Sequence, residues 1–95
     1  MTVRRVRLSE AAQSDIDRLT AFLVDKSPRA AEKAANAIAK AVVSLDQLSE
    51  RGRLAGPPGW RELVVRFGRA AYIIQYFVEP DTVFVARIFH SDERR

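Results

Sequence analysis

The spacing of apolar positions changes along the chain, and each change marks an element boundary. Val3 to Leu8 alternates Val6 and Leu8 against Arg5 and Arg7, the two-residue period of a short, half-exposed edge strand. Ser9 ends it and suits a helix N-cap, with Glu10 in the first turn favourable against the helix dipole. From there Ala12, Ile16, Leu19 and Leu23 recur at helical spacing, with Phe22 beside them, while Asp15, Asp17, Arg18 and Asp25 take the other faces. This predicts a first helix to about Lys26. Ser27-Pro28 then supplies a second capping hydroxyl and a proline at the first helical position, where its missing N–H costs nothing. Ala31, Ala34, Ala35, Ile38, Ala41, Val42, Leu45 and Leu48 form one stripe on this second helix, and its alanines let a neighbouring backbone approach closely.

Gly52 reads as the left-handed stop of the second helix, and Leu54 to Gly59, with Gly56-Pro57-Pro58-Gly59, as a loop. The period then becomes two. Arg61 to Phe67 alternates Leu63, Val65 and Phe67 against Glu62, Val64 and Arg66. Gly68 turns the chain, and Ala70 to Val78 and Thr82 to His90 are two further strands joined through Glu79-Pro80-Asp81. The order β-α-α-β-β-β predicts an α+β domain over residues 1–95, with a helical hairpin on one face of a small, mainly antiparallel four-stranded sheet. The hairpin's apolar stripe is one-sided, so the second sheet face is left to solvent or to a partner.

Composition narrows the chemistry. With no cysteine and one histidine among 95 residues, the chain has no disulfide, thiolate metal site, thiol nucleophile or multi-histidine centre, and no cofactor is expected. No apolar run approaches the ~20 residues needed to cross a bilayer, and Arg4, Arg5 and Arg7 interrupt the amino terminus where a signal peptide would be apolar, so the expected location is cytoplasmic, away from membranes. The net charge is +4, and arginines far outnumber lysines. Planar guanidinium groups suit carboxylates and phosphates, although a GC-rich coding bias gives the same composition.

The opening strand ending in Leu8-Ser9, the helical series Ala12, Asp15, Ile16, Leu19, Phe22 and Leu23, and the series Leu45, Leu48, Gly52 and Arg53 come in a particular order. They are followed by Trp60-Arg61-Glu62-Leu63-Val64-Val65, Tyr72-Ile73-Ile74-Gln75-Tyr76 and Arg87-Ile88-Phe89-His90. Together these resemble the ParE/RelE superfamily of type II toxin-antitoxin toxins, across about residues 3 to 94. The resemblance implies a growth-inhibiting toxin neutralised by direct binding of a cognate antitoxin. RelE-like members cut messenger RNA on the ribosome with basic and acid-base side chains, whereas ParE-like members inhibit DNA gyrase. Ile73 stands where RNA-cutting members carry an arginine, the strand Arg61 to Phe67 lacks their lysine pair, and no tyrosine follows His90. These departures place the chain nearer the ParE branch, with gyrase the implied target and ribosome-bound messenger RNA the alternative.

If the chain cuts RNA, Glu62, Arg66, Arg87 and His90 are the candidate set, because cleavage through a 2′-hydroxyl needs a base, an acid and cations within hydrogen-bond reach of the phosphate. A structural reading competes: Glu62 pairs across strands with an arginine such as Arg87, and His90 merely ends the last strand. Trp60 either stacks on a partner or covers an end of the core. The target-contact set is Arg87, His90, Arg94, Arg95, Trp60 and Arg61, with the last residues also readable as a plain solvated terminus. The surface assigned to the antitoxin is Phe22, Leu23, Tyr72, Ile74 and Tyr76, with Arg69 for its carboxylates.

Overall fold

The computed structural model describes residues 3–93. Strand β1 (Arg5–Leu8) leads into helices α1 (Glu10–Val24) and α2 (Pro28–Ser44), followed by β2 (Arg53–Leu54), β3 (Trp60–Phe67), β4 (Ala70–Val78) and β5 (Thr82–His90). The strands form one mixed sheet in the order β1-β5-β4-β3-β2, with β1 parallel to β5 and the other neighbours antiparallel. The expected α+β architecture is present, but the sheet has five strands rather than four. The additional strand, β2, pairs only Arg53 with Glu62 and Leu54 with Arg61, too short a run to show any period in the sequence.

Both caps form as the side-chain chemistry dictates. Ser9 Oγ accepts from Ala12 N at 2.9 Å, and Ser27 Oγ accepts from Ala30 N at 3.1 Å with Pro28 in the first turn. The second helix stops at Ser44, so Leu45 stays in the core while Leu48, expected on the helical stripe, lies beyond it and is 53% exposed. On α2, Ala31, Ala34, Ile38, Ala41 and Val42 are buried. Leu63, Tyr72, Ile74, Tyr76, Val83, Val85 and Ile88 oppose the helices from the sheet. No helix among the described residues is long and apolar enough to cross a membrane.

Gly52 serves a different purpose from the left-handed stop expected of it. Positive φ occurs at Gly56, Gly59 and Gly68, not at Gly52. What Gly52 provides is room: a Cβ there would lie 2.6 Å from the Tyr76 hydroxyl and 2.9 Å from the Glu62 carbonyl oxygen. The Gly52 N–H donates to that same hydroxyl at 2.9 Å, and Arg61 donates to the Gly52 carbonyl at 2.7 Å. Since Tyr76 is fully buried and Glu62 O is backbone, neither yields easily. Gly52→Ala is therefore expected to cost about 1–3 kcal/mol, the usual range for overpacking, read as a lower urea midpoint at unchanged slope.

Candidate functional site: a groove, a clamped edge and an open sheet face

Strand β1 covers β5 only from Thr82 to Val85, leaving the edge of β5 beyond Val85 without a strand neighbour. Polar side chains of the Ser9-α1 segment complete it. Ser9 Oγ donates to Ala86 O at 2.6 Å, and the Asp15 carboxylate accepts from Ile88 N at 2.8 Å. The same carboxylate accepts from Arg87 at 2.8 and 3.0 Å and from Arg18 at 3.1 Å. Arg18 also pairs with Glu93, which in turn accepts from His90 N at 2.7 Å. Asp15 is only 3% exposed. Burial by itself raises its pKa, but the hydrogen bonds from Arg87, Ile88 and Arg18, with the Arg87 charge, outweigh that and hold the carboxyl below its ordinary value. Arg87 is raised in turn, chiefly through its hydrogen bond to Asp15.

Asp15 was expected on a solvent face. The clue lay in its spacing: Ala12, Asp15 and Leu19 fall on one helical face, and these three are the buried residues of α1. The expected cross-strand partner is also corrected. Glu62 accepts from Arg53 at 3.1 Å, and Arg87 belongs to Asp15. The sequence places Arg18 on a polar helix face and Arg53 beside Gly52 but gives neither a partner, because a cross-element ion pair leaves no periodic signal.

Beside this clamp, α1, the end of β3, the start of β4 and the end of β5 enclose a groove of about 500 Å³. Leu19, Phe22, Leu23, Phe67 and Tyr72 give it apolar walls, and Arg18, His90, Asp92 and Glu93 line it as well. Phe22 is 64% exposed, with the Lys26 ammonium 4.4 Å from its ring centre. The antitoxin surface expected on Tyr72, Ile74 and Tyr76 is corrected: Ile74 and Tyr76 are wholly buried and Tyr72 nearly so. Their strand face is the one the helices cover, so of these three only Tyr72 borders the groove. Arg69 is exposed at the turn between β3 and β4.

The candidate ribonuclease residues are not brought together. Glu62 and Arg66 alternate with core-facing Leu63, Val65 and Phe67 and so lie on the helix-free face. His90 lies on the other side, its ring edge-on to Tyr72 at 5.7 Å and lining the groove. The Arg87 guanidinium is turned around the sheet edge to Asp15. Among the target-contact candidates, Trp60 packs against Phe77 on the helix-free face at 5.0 Å, and Arg61 is engaged by the carbonyls of Glu50 and Gly52. Arg94 and Arg95 lie outside the described residues.

Comparison with known proteins agrees with this architecture. Residues 6–95 match the family described as the ParE toxin of the type II toxin-antitoxin system parDE. Toxin RelE3 of Caulobacter vibrioides is 40% identical over 93 residues, covering 98% of this chain and all of that protein. Toxin RelE1 of the same organism is 39% identical over 90 residues, covering 95% and 96%. A solved structure described as the chromosomal ParDE system from P. aeruginosa superposes with a TM-score of 0.81 at 24% identity, over 95% of this chain and 98% of that one, which attests the fold. By sequence and by fold, the chain belongs to the ParE toxin family of type II toxin-antitoxin systems.

Proposed function

We propose that this toxin acts in the cytoplasm by inhibiting DNA gyrase, without catalysis of its own, and that a cognate antitoxin neutralises it by laying an apolar segment into the groove between α1 and the ends of β4 and β5. The observation that carries the gyrase reading is the dispersal of the acid-base candidates. Glu62 and His90 occupy opposite faces of the sheet, and Arg87 is held by a buried carboxylate, so the four candidates Glu62, Arg66, Arg87 and His90 do not converge on one site. Arg94 and Arg95, at the chain's basic end, are the proposed gyrase contacts.

Three Caulobacter relatives carry RelE names, which gives the ribosome-dependent endoribonuclease reading its support. One experiment separates the two. Purified toxin is expected to stop gyrase supercoiling or trap cleaved DNA, and Arg94→Ala/Arg95→Ala to weaken that effect, while toeprints on translating ribosomes show no toxin-dependent cuts. Codon-positioned cuts that disappear in Glu62→Ala or His90→Ala would transfer the protein to the ribonuclease branch.

A further inference from the structure

The edge of β5 that β1 leaves open carries outward N–H groups at Ile88 and His90, and a carboxylate takes each of them. Asp15 accepts from Ile88 N at 2.8 Å and Glu93 from His90 N at 2.7 Å. Arg18 lies between the two carboxylates and pairs with both, its Nη2 with Asp15 at 3.1 Å and its Nη1 with Glu93. The two anions share one cation, and the buried one, Asp15, holds Arg18 in place for the other. Glu93 belongs to the last turn of the described residues, and His90 is the pivot of that turn. The His90 carbonyl accepts from Glu93 N at 2.9 Å, and its ring Nδ1 accepts from Asp92 N at 3.1 Å. Ser91 ties the turn to β4, its N–H donating to Ala71 O at 2.8 Å and its Oγ accepting from Ala71 N at 3.1 Å. Three successive residues are thus anchored directly before Arg94 and Arg95 in the sequence.

We infer that Arg18 and Glu93 are positioning residues for the toxin's contact with its target: their pair fixes the turn that presents Arg94 and Arg95. This role rests on the reading of those arginines as gyrase contacts and adds the device that aims them. Arginines following an untied turn would have to be ordered at the moment of binding, and fixing the backbone of even one residue costs roughly tenfold in affinity. The sign of the charge separates aiming from simple attraction. Glu93 is an anion beside a cationic chain end, so if Arg94 and Arg95 acted through charge alone, removing Glu93 would strengthen their pull on an anionic partner. Aiming predicts a loss instead. Folding stability does not explain the pair, because both side chains are partly exposed and water screens such a link.

Gyrase supercoiling with purified toxin reads the effect. Glu93→Ala is expected to need about tenfold more protein than wild type for half-inhibition, the equivalent of about 1.4 kcal/mol, while melting within about 4 °C of it. Glu93→Gln, which keeps an oxygen for His90 N, should lose less. Arg18→Ala should match Glu93→Ala, and the double variant should lose no more than either alone, because one pair is broken once. The chain has no cysteine and the Asp92 side chain is exposed, so a nitroxide on Asp92→Cys reports the turn alone. Glu93→Ala should sharpen its spectrum, which loss of a charge without release of the turn would not do. Wild type that leaves gyrase untouched sinks the gyrase reading and this role with it. If wild type inhibits, the positioning role alone is overturned by Glu93→Ala inhibiting equally or more strongly, by an unchanged nitroxide spectrum, or by a double variant that loses the product of the two single losses.

Discussion

Asp15→Ala is expected to lower the stability of the folded protein by about 3 kcal/mol. The substitution strips a buried carboxylate from an edge where it serves two roles. The Ile88 N–H, donated to Asp15 at 2.8 Å, would be left without its partner, which costs about 1–3 kcal/mol. Arg87 would lose a bidentate partner, a smaller loss because its side chain is 43% exposed and water replaces part of what is removed. For a domain of this size each kcal/mol moves the melting temperature by roughly 4–8 °C, so the variant should melt at least 10 °C lower. The pH dependence follows from the direction of the shift. Because the folded-state carboxyl is held below its ordinary value, its ionisation stabilises the fold fully above about pH 4 and progressively less as pH falls through the depressed folded value. Asp15→Asn keeps an oxygen for Ile88 but removes the charge. The gap between wild type and this variant should therefore be largest near neutrality and shrink toward pH 2 in urea melts. A gap constant over that range would show that the Asp15 charge adds nothing to stability.

The elements governed by local chemistry could be read from the chain. Ser9, Ser27 and Pro28 begin the two helices because capping is decided within three residues, and the alternation of Leu63, Val65 and Phe67 fixes which face of β3 meets the helices. What the sequence hides are contacts between elements. Asp15 and Arg87 are 72 residues apart, and a charged residue in a helix reads as solvent-facing until the strand edge it completes is known. Tyr72, Ile74 and Tyr76 show the same difficulty in reverse. Their shared face was evident, but a strand with two apolar faces does not announce which one the helices cover, and the partner surface was therefore placed on the core. Phe22, beside the stripe that Leu19 and Leu23 continue, is 64% exposed at the groove, whereas Leu23 packs partly against the core. Of the candidate site, the apolar wall of the groove was thus legible, whereas the clamp was not.

Phe22→Glu is expected to abolish neutralisation while leaving the toxin folded and active. Phe22 is 64% exposed, so its replacement removes little from the core and should change stability by no more than about 0.5 kcal/mol. In a complex the same ring would be enclosed in the groove with Leu23 and Phe67, and truncating a central aromatic at an interface commonly costs 2 kcal/mol or more. Glutamate adds a further loss. It places a carboxylate among apolar walls, where a partner's apolar side chains cannot satisfy it, and it removes the Phe22 ring beneath the Lys26 ammonium. Affinity for the antitoxin should fall at least 100-fold, and cells expressing both proteins should stop growing where wild-type pairs grow normally. Phe22→Ala should give an intermediate loss near 30-fold, the equivalent of about 2 kcal/mol. Lys40→Glu supplies a control for charge alone, because it sits exposed on α2 and does not line the groove. If antitoxin binds Phe22→Glu as tightly as it binds wild type in calorimetry, the antitoxin docks elsewhere, and the groove is not its seat.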